Sequence, residues 1–306
     1  MSIGIALSRR SLLGGLALSG AVATRLAAKK PMQMSGASKR LITYRDDATA
    51  ATVTTEVLLR GEGPLVVLLP SLGRGASDFD DLASRIAATG FCAAAINPRG
   101  IGQSKGPAAQ SLADYARDIF EVIKALQSQS AHGHAKPVVL IGHAYGNRLA
   151  RAVAAAYPDA VSSLILLASG GQVAMAPAVA KALQDVFDPG LSPQAHIEAV
   201  RTAFFAPGND PEIWRDGWYG LVALEQQTAT RRTPTEQWAA GGEKPIYIIQ
   251  AAQDAVATPA NAEVLRAAHP DRVEVVVIEN AGHAMLPEQG ELIAQLVIKR
   301  LEALRR

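Results

Sequence analysis

The sequence contains a single cysteine, Cys92, in a chain of 306 residues. One thiol cannot form a disulfide within the chain, and it leaves no cysteine-based metal site. It lies in the apolar run GFCAAAIN, which indicates a small buried side chain rather than a reactive thiol. Strong charge is also missing, because the formal net charge is only +2 and the basic residues are scattered. The composition therefore gives no support for a disulfide scaffold or for a nucleic-acid partner.

The apolar segment near the N-terminus is too short to cross a membrane. About a dozen residues follow Arg9 and Arg10, fewer than the roughly 20 that a bilayer requires. The small-residue pattern Ala21–Ala23 comes next, and the whole arrangement resembles a twin-arginine export signal rather than a basic tail or an anchor. We expect residues 1–23 to be a cleaved signal and residues 24–40 a flexible leader. The location is then periplasmic, without stable membrane insertion.

From residue 41 onward, apolar strand-like runs alternate with helical segments. The predicted strands are LITYRD, TVTTEVLLRG, PLVVLLP, FCAAAINP, PVVLIG, VSSLILLA, PIYIIQA and VEVVVIE. The predicted helices are DDLASRIAATG with its stop at Gly90, SLADYARDIFEVIKAL, residues 145–156, a helix opened by Thr258 and Pro259, and residues 288–304. This order predicts an α/β fold, a mostly parallel eight-stranded sheet with helices on both faces.

One segment, residues 172–240, interrupts the alternation with helical stretches and no good strand. It contains all three tryptophans, Trp214, Trp218 and Trp238. An insertion between the sixth and seventh strands lies over the carboxyl ends of the strands, where open α/β sheets bind ligands. We therefore predict a helical cap at 172–240, inserted after strand six between two parts of the core, residues 41–171 and 241–306.

Five motifs follow one another along the chain. GHAYG stands at the end of the fifth strand, and LPSLGRGASDF, with Pro70 and Ser71, follows the third. NPRGIGQS places Asn97 after the fourth strand, QAAQDAVATPA supplies Asp254 after the seventh, and NAGHAMLPE supplies His283 after the eighth. In this order the motifs resemble those of the α/β-hydrolase family with a helical cap. GHAYG matches the nucleophile elbow G-x-S-x-G except at the serine, Pro-Ser stands where many relatives have His-Gly, and Asn97 replaces an aspartate.

The resemblance implies a role for each matching residue. Ala144 occupies the position of the serine nucleophile, and His283 is the general base. Asp254 orients the imidazole and stabilises its protonated form. The backbone N–H groups of Leu72 and Tyr145 are the expected oxyanion donors. This chemistry requires no metal and no organic cofactor.

The fold resemblance leaves the substrate open, and a small-molecule carboxylic ester is the expected class. Ser71, Trp214, Trp218 and Tyr219 are the candidate substrate-binding residues, although the aromatic side chains can equally form the core of the cap. Their presence favours a substrate with an aromatic or extended apolar part. Oligomeric state cannot be inferred from the sequence.

Ala144 admits three accounts. The chain can be a form in which alanine has replaced a serine and inactivated a hydrolase. It can instead be a naturally noncatalytic protein that binds a small ligand in the same pocket. It can also resemble the cofactor-independent dioxygenases of this fold, whose chemistry depends on the His-Asp pair. Backbone strain at an elbow persists where function needs it, and the glycines, acid and histidine are all retained, which favours the first account.

Overall fold

The computed structural model describes residues 36–46, 49–128 and 136–305. Within them, eight strands form one sheet in the order β1-β2-β4-β3-β5-β6-β7-β8. β1 and β2 pair antiparallel, as do β2 and β4, whereas all the other neighbours are parallel. The strands are β1 (Ser38–Arg45), β2 (Thr52–Arg60), β3 (Leu65–Leu69), β4 (Cys92–Ile96), β5 (Val138–His143), β6 (Val161–Leu167), β7 (Ile246–Ala251) and β8 (Val273–Ile278). The predicted fold class is confirmed.

Helices cover both faces of the sheet. They are α1 (Asp80–Ala88), α2 (Leu112–Ser128), α3 (Tyr145–Ala156), α4 (Pro177–Asp185), α5 (Pro193–Phe204), α6 (Gly220–Arg232), α7 (Ala260–Ala268) and α8 (Met285–Arg305). One core cluster joins the sheet to α2 and α3, and the other joins it to α1 and α8. The central strands are buried on both sides because helices cover both faces, which explains their continuous apolar runs.

The segment between β6 and β7 contains α4, α5 and α6 and no strand. Its apolar side chains form a third cluster that includes Phe204, Phe205 and Trp214. Ala284 belongs to the same cluster. Because Ala284 directly follows His283, this segment, called the cap below, packs against the loop after β8.

Several element boundaries differ from the sequence prediction, among them the starts of β1 and α7. β1 begins at Ser38, inside the predicted leader, because Ser38 lies opposite Leu59 in the antiparallel pairing with β2. The helix expected to be capped by Thr258 begins at Ala260, and no side chain caps it.

The predicted signal, residues 1–23, lies outside the described residues, as does the leader up to residue 35. In the described part of the chain, no helix combines the length and the apolarity needed to span a bilayer.

Candidate active site

The turn from β5 to α3 holds Ala144 in a strained backbone conformation. Its φ is +50° and its ψ is −107°, a region that costs a non-glycine residue about 1–3 kcal/mol. Glycines on both sides allow the close approach of strand and helix. A Cβ on Gly146 would lie 2.0 Å from the carbonyl oxygen of Leu69, and one on Gly142 would lie 2.4 Å from the carbonyl carbon of Gly146. The Ala144 N–H donates to the carbonyl of Leu167 at 2.9 Å. The turn therefore has the sharp geometry of a nucleophile elbow.

The loops after β7 and β8 bring Asp254 and His283 into contact. The Nδ1 atom of His283 lies 3.0 and 2.9 Å from the two carboxylate oxygens of Asp254. The backbone N–H groups of Val256 and Ala257 donate to Asp254 Oδ1 at 2.9 and 2.7 Å. Both side chains of the pair are buried. Since a carboxylate can only accept, the proton belongs on Nδ1, and Nε2 keeps the lone pair that could accept a proton.

His143, the residue before Ala144, joins the elbow to the His283 loop. Its Nε2–H donates to the carbonyl oxygen of His283 at 2.8 Å, and the two ring centroids are 5.7 Å apart. Burial, followed by the charge of His283, lowers the pKa of His143 to about 4. Its Nδ1 is buried without a hydrogen-bond partner among the described residues. His143 occupies a variable position of the elbow motif, and the sequence could not reveal this contact because its partner is a backbone atom 140 residues away.

Glu288 ties the His283 loop to the cap. Its carboxylate accepts from the Gly282 N–H at 2.7 Å, from the Ala206 N–H at 2.8 Å and from Asn209 Nδ2 at 2.6 Å. Burial raises the pKa of this carboxyl above its usual range, although these hydrogen bonds act in the opposite direction. The only sequence signal for this role was the position of Glu288 at the end of the motif NAGHAMLPE.

The two segments expected to supply oxyanion donors meet the cap at Gln226 of α6. Its side-chain oxygen accepts from the N–H of Gly73, next to Leu72, at 2.8 Å. Its carbonyl accepts from the hydroxyl of Tyr145 at 3.1 Å. Ser71 is buried. The roles expected for Leu72, Tyr145 and Ser71 stay predictions, and no sequence motif pointed to Gln226.

Cap aromatic rings pack onto both histidines. The ring centroid of Trp214 is 6.1 Å from that of His143, and the centroid of Phe204 is 5.6 Å from that of His283. Trp214 is buried. An apolar wall therefore covers the imidazole side of the site, and it includes Phe204, which no sequence motif singled out.

Arg74, in the loop after β3, lies between two cap tryptophans. Its guanidinium carbon is 4.4 Å from the Trp214 ring centroid and 4.5 Å from that of Trp218. It also donates to both carboxylate oxygens of Asp78, at 2.8 and 2.7 Å, and to the Asp216 carbonyl at 2.8 Å. Tyr219 is 40% exposed, and its N–H donates to the carbonyl of Gly73. Substrate contacts for Trp214, Trp218 and Tyr219 stay predictions.

The turn after β4 is held by buried polar contacts. Asn97 accepts from the Ala76 N–H at 2.7 Å and donates to Glu56 Oε1 at 2.8 Å. Arg99 makes a two-pronged contact with Asp118, at 2.8 and 2.7 Å. These residues support the turn structurally.

Across the described residues, no three or more His, Cys, Asp or Glu side chains form a group suited to holding a metal ion. Cys92 lies partly buried in β4, and burial raises the pKa of its thiol. A raised pKa disfavours the thiolate, the form that attacks or binds metal.

A family model and a curated relative both match this chain. The family model described as serine aminopeptidase, S33, matches residues 63–290. A curated 2-(acetamidomethylene)succinate hydrolase from Mesorhizobium japonicum is 34% identical over 132 residues, which cover 43% of this chain and 44% of that protein. The alignment thus spans less than half of that relative's length.

Solved structures share the fold over most of the chain. An esterase from Thermogutta terrifontis, with malate bound, superposes with a TM-score of 0.70 at 20% identity, covering 87% of this chain and 100% of that one. Carboxylesterase CesB from Bacillus subtilis superposes with a TM-score of 0.68 at 16% identity, covering 87% and 92%. At these identities the likeness concerns the fold alone.

Proposed function

Because the chain belongs to the serine aminopeptidase S33 family of α/β-hydrolases, we propose that it is a serine carboxylic ester hydrolase scaffold inactivated by alanine at position 144. Its substrate is a small-molecule ester, with a preference for an aromatic or extended apolar part. No metal or organic cofactor takes part. In this form the protein binds the ester under the cap and does not turn it over.

The proposal assigns a step to each group once an oxygen is restored at residue 144. The serine hydroxyl attacks the ester carbonyl, and His283 takes its proton. Asp254 holds the imidazole and stabilises the cation that forms. The N–H groups of Leu72 and Tyr145 receive the developing oxyanion. His283 then gives the proton to the departing alcohol, and a water molecule releases the acid by the same steps.

The observation that carries the proposal is the retained geometry around a side chain without a reactive atom. Ala144 keeps a φ of +50°, and the His283 imidazole keeps its contact with Asp254 at 2.9 Å. Strain of about 1–3 kcal/mol persists where a function over-determines it. A ligand-binding pocket alone has no need of the strained elbow together with an aligned His-Asp pair.

The test is Ala144→Ser, assayed against p-nitrophenyl and aromatic carboxylic esters. Loss of a triad nucleophile lowers turnover by about a millionfold, so we expect the serine variant to exceed the alanine chain by several orders of magnitude. Adding His283→Ala to the serine variant is the control and should abolish the gain. Ala144→Gly, which adds no hydroxyl, should remain inert.

Two results would replace this function with another. A serine variant that hydrolyses no ester, alongside tight binding of a small ligand by the alanine chain, would identify a noncatalytic binding protein. Oxygen consumption by the alanine chain with a heteroaromatic substrate would identify a cofactor-independent dioxygenase that uses the His-Asp pair.

A further inference from the structure

The α3 helix carries a guanidinium near the elbow that no acid among the described residues pairs with. Arg148 is four residues beyond Ala144, a distance of about 6 Å along the helix axis. It is partly exposed, and within the described part of the chain it makes neither an ion pair nor a hydrogen bond. Its guanidinium carbon lies 5.6 Å from the centroid of the Trp238 ring.

Two buried arginines of this protein have an acidic partner within hydrogen-bond distance. Arg74 is paired with Asp78 and Arg99 with Asp118, each at 2.7 Å. Buried cations are normally paired in this way, because an uncompensated charge away from water is costly. Arg148 departs from that pattern.

A second guanidinium adds to the uncompensated charge. Arg151, one turn further along α3, is fully buried and donates only to uncharged oxygens, those of Asn147, Gly170 and Ala239. Burial and the charge of Arg148 lower its pKa to about 9, and no carboxylate acts in the other direction. Burial likewise lowers the pKa of Arg148. The first turn of α3 also contains no acidic residue to offset the positive end of the helix.

The loop after β6 joins this positive region to the acid of the candidate site. A Cβ on Gly171 would lie 3.4 Å from Arg148 Nη2 and 3.2 Å from the Trp238 ring. A Cβ on the preceding Gly170 would lie 2.9 Å from the Cβ of Ala257, whose N–H donates to Asp254. Arg148 and the His-Asp pair thus flank the same short loop.

Trp238 contributes a second unpaired donor. Its ring is 3% exposed, and its Nε1–H is buried without an acceptor among the described residues. Buried donors normally have a partner, and the described side chains do not supply one for this N–H. A guanidinium and an indole N–H without acceptors on the same pair of side chains favour an anionic oxygen ligand.

We infer that Arg148 binds a carboxylate of the substrate, so that the ester cleaved at residue 144 is the monoester of a short dicarboxylic acid. This inference rests on the proposed function for the position of the ester. A guanidinium matches the two oxygens of a carboxylate with parallel N–H donors. The separation along α3 favours an acid with a few carbons between its two carboxyl groups.

The kinetic test uses the Ala144→Ser protein with two p-nitrophenyl esters of similar length. One is the anionic mono-p-nitrophenyl glutarate and the other is the neutral p-nitrophenyl pentanoate. We expect KM for the anionic ester to be about ten- to a hundredfold lower, as for a charge-assisted bidentate contact. Arg148→Gln should remove this difference and leave KM for the neutral ester unchanged, whereas Arg148→Lys should restore part of it. Arg266→Gln, at an exposed ion pair with Glu263, is the matched control and should change neither KM.

The binding test uses the chain as it exists, with Ala144, and does not depend on turnover. Monoethyl glutarate titrated calorimetrically should bind, and the affinity should fall at high salt and with Arg148→Gln. If the serine variant is inert but this binding depends on Arg148, the proposed function fails and the anion site stands. If the serine variant hydrolyses both esters with equal KM and Arg148→Gln changes neither, the function stands and the anion site is wrong. A purely structural Arg148 would alter both esters alike, which also overturns the inference.

Discussion

His143 is the residue whose environment makes the clearest prediction about pH. In the folded chain its pKa is about 4, below the ordinary value of 6.5, because burial disfavours the charged ring and the nearby charge of His283 adds to the effect. Between pH 6.5 and pH 4, His143 is protonated in the unfolded chain and neutral in the folded chain. The free energy of unfolding should therefore fall as pH drops from about 6.5 to about 4, by on the order of 3 kcal/mol at 1.36 kcal/mol per unit of pKa.

Thermal unfolding of the wild-type chain and of His143→Gln, followed across this range of pH, measures that contribution. The glutamine side chain cannot titrate, so its melting temperature should decline less on acidification, whatever its value at neutral pH. Parallel pH profiles for wild type and His143→Gln would contradict the depressed pKa.

At the same scale, the sequence identified the residues that stand in motifs and missed those that act through distant contacts. Ala144, Asp254 and His283 could be placed because each follows a strand in the expected order. Gln226 could not be identified, because its role depends on hydrogen bonds with Gly73 and Tyr145 that exist only once the chain is folded. A polar residue in a helix carries no local signal of such partners.

Among the elements, the packing of α3 against β3 depends on the absence of a side chain at Gly146. An added Cβ would lie 2.0 Å from the carbonyl oxygen of Leu69 and 2.9 Å from that of Pro70. Both are backbone atoms that cannot rotate away, so the helix and the strand must separate. We expect Gly146→Ala to lower the free energy of unfolding by about 3 kcal/mol or more, measured by chemical denaturation.

Gly290→Ala in α8 is the matched control, because there the nearest atom to an added Cβ is Asp81 Oδ2 at 3.7 Å. It should change stability by no more than about 1 kcal/mol, because no backbone atom obstructs the added Cβ. Equal stability of Gly146→Ala and Gly290→Ala would show that α3 and β3 can adjust their spacing.

Strands and helices were the most predictable part of the molecule, and their ends the least. Buried strands are recognisable in the sequence as apolar runs, and α3 spans the predicted residues 145–156. Ser38 is polar, and it belongs to β1 because it pairs with Leu59 of β2. α7 begins at Ala260, one residue later than predicted, although Pro259 already has helical dihedral angles.

For the whole molecule, an insertion after β6 could be foreseen from the interrupted alternation of strand and helix, but not its attachment to the sheet. That attachment depends on single polar side chains from distant parts of the chain, including Glu288 and Gln226. Arg74 makes several such contacts, because its guanidinium packs against two cap tryptophans and pairs with Asp78. Its loop also carries Leu72, so the cap and the expected oxyanion segment are fixed together.

Arg74→Gln should therefore loosen the cap more than the sheet. It removes two ring contacts worth about 0.5–2 kcal/mol each and leaves Asp78 buried without its partner. Hydrogen exchange should accelerate in peptides from α5 through Tyr219, while peptides from β5 and α3 change little.

Arg85→Gln breaks an exposed ion pair with Asp81 at the same i,i+4 spacing and should cost about 0.5 kcal/mol or less, without faster exchange in the cap. If Arg74→Gln lowers stability while exchange in the cap and the sheet rises equally, Arg74 stabilises the core around Asp78 rather than the cap. The two tryptophans would then be held in place by Phe204 and the other rings packed around them.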